Sequence, residues 1–139
     1  MANPVNVTHD FILATGKVMT AAELTREDVS IDNCNACHGK LAVHGGSARV
    51  ETRYCVVCHT DQRRYGRAEA TYNATTRAFT GSTYVVDGRT VGAAMNFVHK
   101  THVGGVMTRT GYNYGGVLFD KAGYPQDIRN CDKCHDSSN

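Results

Sequence analysis

At 139 residues, 41% of them hydrophobic, with 14 glycines and no tryptophan, the chain is one domain's worth of polypeptide that promises only a thin core of its own. A formal charge of +2 argues against the strongly basic footprint of a nucleic-acid binder. No apolar run approaches the roughly 18 residues that a membrane-spanning helix requires.

The opening residues, MANPVNVTHD, are polar and lack the basic start and apolar stretch of a secretory signal, so residue 1 is expected to follow a trimmed leader. TAAELTREDVS, residues 20–30, reads as a short helix in which Thr20 and Glu23 form a capping box. Residues 1–30 are thus an N-terminal arm with one short helix, and 31–139 form the remainder of a single domain. The stretch VGAAMNFVHKTHVGG, 91–105, carries Val91, Met95, Val98 and His102 at helical spacing, and the helix is expected to stop at Gly104-Gly105. Before it, FTGSTYVVDGRTV, 79–91, predicts a small hairpin turning at Asp87-Gly88. After it, GYNYGGVLFDKAGYP, 111–125, is rich in Gly and Tyr and reads as loop. Asn73-Ala74-Thr75 matches a glycosylation sequon, a weak signal.

The chemistry lies in the cysteines. Cys34/Cys37, Cys55/Cys58 and Cys131/Cys134 are three C-x-x-C pairs, each followed at once by histidine: His38, His59 and His135. C-x-x-C-H is the attachment signature of c-type haem. Two thioethers fix neighbouring edges of one porphyrin, and the short turn carries the next residue under the ring as proximal ligand. Structural zinc wants such pairs in twos and gives the adjacent histidine no purpose. A disulfide framework leaves the three histidines unexplained, and a thioredoxin-type site needs a βαβ context that is missing. The implied cofactors are three covalently bound haem c groups, with attachment motifs 21 and 76 residues apart and no clean repeat.

Four histidines are then left for three sixth-ligand positions: His9, His44, His99 and His102. His44 precedes Gly45-Gly46, which let the backbone turn beside a flat ring, and is read as a distal ligand to a different haem. His99 and His102 are three apart on the expected helix, close enough for each to take a separate iron. His9 fits three readings: a surface residue, a ligand in this chain, or a ligand reaching a neighbouring subunit. Met19, Met95 and Met107 would raise the potential relative to bis-His ligation and are set aside while histidine suffices. Arg49, Arg53, Arg63, Arg64 and Arg67 lie within twenty residues. They are candidate partners for haem propionates, because a carboxylate prefers bidentate cationic contacts. The alternative is a solvated basic surface.

The expected fold is therefore a mainly α, loop-rich small multihaem cytochrome c with little β beyond one hairpin, its core formed by stacked haems. Such a chain is expected to be largely unfolded without its haems.

CNACHGKLAVHGGSARVETRYCVVCH, residues 34–59, resembles the haem-binding stretch of the outer-surface multihaem cytochromes of metal-reducing bacteria, the OmcA/MtrC family. FVHKTH is similar to that family's His-x-x-His helix, and YPQDIRNCDKCH to its next attachment site. The resemblance implies bis-His haems packed in a chain, with His44, His99 and His102 in the distal role by motif position. It also implies an exported, periplasmic or cell-surface electron carrier rather than an enzyme. Partners would be other cytochromes or copies of the chain itself, and a terminal acceptor such as a mineral, flavin or electrode. Typical members hold many more haems and carry β-barrel domains, so this chain is expected to be a module of a larger protein or a stand-alone relative. Two alternatives stand beside the conduit. One is a polymeric cytochrome filament with ligands crossing between subunits; the other is a small multihaem reductase with one open haem site.

Overall fold

Three short helices are each set by a cysteine motif or a histidine pair. In the computed structural model, which describes residues 7, 9–20, 23, 28–44 and 49–135, α1 spans Ile31–His38. Its N-terminus is capped by Ser30, whose hydroxyl accepts the Asp32 N–H at 3.2 Å. Gly39 (φ 66°) ends it, donating its N–H to the Asn35 carbonyl at 2.9 Å. α2 spans Thr52–Cys58 and α3 spans Ala94–Val103. Among the described residues no helix is long and apolar enough to cross a membrane.

Among the described residues three two-stranded antiparallel sheets and several 3-10 turns accompany the helices. β1 (Thr71–Asn73) pairs with β2 (Ala78–Thr80), placing Tyr72 opposite Phe79. β3 (Val85–Val86) pairs with β4 (Arg89–Thr90) through a two-residue turn in which Asp87 (φ 53°) and Gly88 (φ 72°) both adopt positive φ, as the Asp-Gly pair predicts. β5 (Asn113–Tyr114) pairs with β6 (Val117–Leu118) across Gly115-Gly116. Isolated parallel bridges, Glu69 to Val85 and Ala78 to Thr110, link the strands to neighbouring chain.

Contacts divide the chain into two units, Met1–Cys55 with Cys131–Asn139, and Val56–Asn130, the division falling inside α2. In the second unit Phe79, Val86, Val91, Tyr112, Tyr114 and Phe119 form the core, flanked by Ala70, Tyr84, Phe97 and Met107. Its rings meet tilted for Phe79–Tyr112 (centroids 4.7 Å apart), edge-on for Phe97–Phe119 (5.4 Å) and stacked for Tyr112–Phe119 (6.1 Å). In the first unit none of the described residues is buried. Its contacts are polar: Thr52 donates to the Val29 carbonyl at 2.8 Å, and the Asn33 amide to the Cys134 carbonyl at 3.1 Å.

These features correct the expected fold. The chain is not mainly α with a single hairpin and a core of stacked haems; three small antiparallel sheets carry an aromatic core made by the polypeptide itself. The stretch read as Gly/Tyr-rich loop is the third hairpin, and it supplies Tyr112, Tyr114 and Phe119 to that core. The hairpin predicted over 79–91 is confined to Val85–Thr90, because Phe79 pairs backward with Tyr72 instead. The helix over 91–105 also differs. Val91 is buried ahead of α3, whereas Met95 (76% exposed) and Val98 (46% exposed) face outward, and Phe97 turns to the core. The helix does end where expected, at Val103 with Gly104 as its C-cap, but Gly104 stays right-handed (φ −51°, ψ −44°) and leads into a 3-10 turn. Of the helix expected over 20–30, the Thr20 N–H to Glu23 carboxylate bond is present at 2.8 Å, while residues 21, 22 and 24–27 lie outside the described residues.

Candidate haem-attachment and ligand sites

All three cysteine motifs lie on or at the end of a helical turn, α-helical for the first two and 3-10 for the third. In α1, Cys34, Cys37 and His38 stand at i, i+3 and i+4, which a helix places on one face. In α2, Cys55 and Cys58 repeat the spacing, with His59 next in the chain. The third motif forms a 3-10 turn, Cys131–Lys133, closed by the Cys134 and His135 N–H groups on the Cys131 carbonyl at 3.0 and 2.9 Å. A helical turn is what lets two sulfurs and one imidazole address the same edge and face of a planar ring. None of the six cysteines forms a disulfide. Burial pushes the Cys34 thiol up, with Cys134 and Cys55 adding to the shift, and burial likewise raises Cys55. One cysteine from each motif therefore lies in the same electrostatic neighbourhood.

The imidazoles carry a second common feature. His59 Nδ1 lies 2.8 Å from the Gly92 carbonyl, His99 Nδ1 2.7 Å from that of Met95, His102 Nδ1 2.8 Å from that of Val98, and His135 Nδ1 3.2 Å from that of Asp28. A carbonyl oxygen can only accept, so in each ring Nδ1 carries the hydrogen, and Nε2 is the nitrogen suited to a metal. Metal-ligating histidines are oriented in this way. The donor set therefore fits haem iron: thiols for the porphyrin edge, Nε2 atoms for the metal. Cys34/Cys37, Cys55/Cys58 and Cys131/Cys134 would hold the groups, and His38, His59 and His135 would meet them from the attachment side.

The remaining candidates are placed as follows. His44 is exposed in a left-handed conformation (φ 61°) beside the Val43–Arg49 bridge, while Gly45 and Gly46 lie outside the described residues. His99 is exposed on α3. His102, one turn on, is half-buried with its ring edge-on to Tyr124 at 5.3 Å and 90°. It opens onto a cleft of about 450 Å³ whose walls include Val106, Ala122, Tyr124, Asp127 and Ile128. His9 is exposed, next to Asp10, which pairs with Arg53. Arg63 donates from Nε to the Tyr114 hydroxyl at 2.8 Å, and Arg67 lies over the Tyr84 ring at 4.3 Å. Arg64 pairs with Asp61 at 3.5 Å, and Arg49 is exposed. Tyr124 and the Gly92 carbonyl, each in contact with a histidine ring, were not singled out from the sequence. Nothing local marks them, because their partners are 22 and 33 residues away.

Residues 26–139 match the family model described as outer membrane cytochrome MtrC/MtrF-like, domains II/IV. No curated protein and no solved structure matches significantly. The matched region takes in all three Cys-x-x-Cys-His turns and every oriented imidazole, so the resemblance seen in the motifs extends over most of the chain, and the protein belongs to this family of haem c electron-transfer cytochromes.

Proposed function

We propose that this chain acts as a single trihaem domain, with three bis-His, low-spin haems, in an extracellular electron conduit. Cys34/Cys37, Cys55/Cys58 and Cys131/Cys134 carry the three haem c groups. His38, His59 and His135 are the proximal ligands, and His44, His99 and His102 the distal ones. His9 is left over for the surface or for a neighbouring subunit. When bound, each haem supplies an iron that passes between ferric and ferrous states. With both axial positions filled by imidazole there is no vacant site for a substrate, so the chain is an electron carrier rather than an enzyme. Its partners are other cytochromes and an extracellular acceptor such as a mineral, flavin or electrode.

The observation that carries this reading is the ring orientation: four histidines donate Nδ1–H to a backbone carbonyl, the bond that orients metal-ligating imidazoles. His99 and His102 do so from the same helix, each using the carbonyl four residues before it, so α3 can offer two ligands without distortion. The test is mass spectrometry of the exported holoprotein together with its oxidised optical and EPR spectra. Three covalent haem additions and wholly low-spin signals are expected. Fewer additions, or a high-spin signal in the native protein, would overturn the assignment.

A further inference from the structure

We propose that the buried Gly92 carbonyl is the positioning group for the His59 ring, and that the Arg63–Tyr114–Gly92 stack behind it sets the electron affinity of the haem on Cys55 and Cys58. The proposal rests on the reading of His59 as an iron ligand and adds what tunes that ligand.

His59 is tied twice to one short segment. Its Nδ1–H donates to the Gly92 carbonyl at 2.8 Å, and its own carbonyl accepts the Ala94 N–H at 2.8 Å, where α3 begins. The segment is itself fixed. The Gly92 N–H donates to the buried Thr90 hydroxyl at 3.1 Å, and the Asn96 amide donates to the Thr90 carbonyl at 2.9 Å. Tyr114 closes the far side so tightly that a Cβ on Gly92 would overlap its hydroxyl and ring. Tyr114 is held in turn by Arg63 Nε at 2.8 Å and by edge-on packing against Phe97 and Tyr84, at 5.4 and 5.2 Å. Gly92 has no left-handed backbone to require glycine; the requirement is space for Tyr114.

His99 and His102 use carbonyls of their own helix, and the His135 bond is likewise solvent-exposed. Of the four bonds, that of His59 is partly buried and the other three are solvent-exposed. A hydrogen bond away from water is electrostatically stronger, and a firmly held Nδ1–H makes the imidazole a more basic ligand that favours ferric iron. The stack therefore lowers the potential of this haem specifically, and weakening it should raise that potential.

The test uses holoprotein of Gly92→Ala, Thr90→Val and the conservative Thr90→Ser, compared by spectroelectrochemical titration. In Gly92→Ala one of the three redox waves should move to more positive potential while the other two stay in place. Thr90→Val should move the same wave by less, and Thr90→Ser should return it toward the native position. Three covalent haems in each variant, confirmed by mass, separate this test from the ligand assignment, which fails instead if the Cys55–Cys58 peptide carries no haem. If all three waves stay unmoved or shift together in both Gly92→Ala and Thr90→Val, the positioning role is wrong. Thr90→Ser behaving like Thr90→Val would also overturn it.

Discussion

Gly104 lies so close to the Phe119 carbonyl that a Cβ there would overlap backbone, not a flexible side-chain end that could move away. Gly104→Ala is therefore expected to lower stability by about 3 kcal/mol, the upper end for an overpacked site. It should show as a fall in the urea midpoint at unchanged slope. Asp87 illustrates a different control. Arg109 grips its carboxylate with two nitrogens, at 2.7 and 3.4 Å, and holds its pKa below the ordinary 3.8. Because the folded value is depressed, the stabilisation is fully present above the unfolded pKa and is lost as pH falls through the folded one. Asp87→Asn, which tolerates the same positive φ, should be less stable than the native chain at pH 7. The gap should close in acid, below the folded carboxyl's pKa. A constant gap in thermal melts across that range would rule out the charge as its source.

α3 shows how one element serves two purposes. Phe97 anchors it in the aromatic core, while Met95, Val98 and His99 lie on its exposed side and His102 at the cleft. Both imidazoles are oriented by the helix's own carbonyls, so removing one ring should not disturb the other. His99→Ala and His102→Ala are each expected to convert one of three low-spin irons to a high-spin signal, and the double variant two, in quantitative EPR of the oxidised protein. A single variant that changes no signal would remove that histidine from the ligand set. The β-hairpins were harder to foresee. Strands of two or three residues are too short for alternation to register, so only the turn chemistry could speak. The Asp87-Gly88 turn is legible from it, whereas Gly115-Gly116, an equally good two-residue turn, is masked by Gly- and Tyr-rich surroundings that have the composition of coil.

At the scale of the molecule, burial is uneven. Every buried residue among those described lies within Val56–Asn130, whereas two attachment motifs and Cys55 of the other lie in the unit without a buried residue. This unevenness gives the expectation of a largely unfolded apo-protein a direct test. Full-length protein in which all six cysteines are replaced by serine should keep the near-UV circular dichroism of its clustered tyrosines while losing order elsewhere. Phe119→Ala in that background should abolish the signal, because emptying a fully buried aromatic site costs about 3–5 kcal/mol. A flat near-UV spectrum before that second change would show that haem attachment is needed for the aromatic core as well.

The candidate attachment motifs are written in the chain itself. Two thiols and an imidazole must be neighbours in sequence to reach one ring, so Cys34–His38, Cys55–His59 and Cys131–His135 could be read without knowing the fold. The pairing of His99 with His102 was readable for the same reason, since one helical turn separates them. Folding alone decided the rest: which glycine faces Tyr114, which carbonyl orients His59, and that Tyr112, Tyr114 and Phe119 leave an apparent loop to build the core. Those choices depend on groups far apart along the chain meeting in space, and local composition carries no record of such meetings.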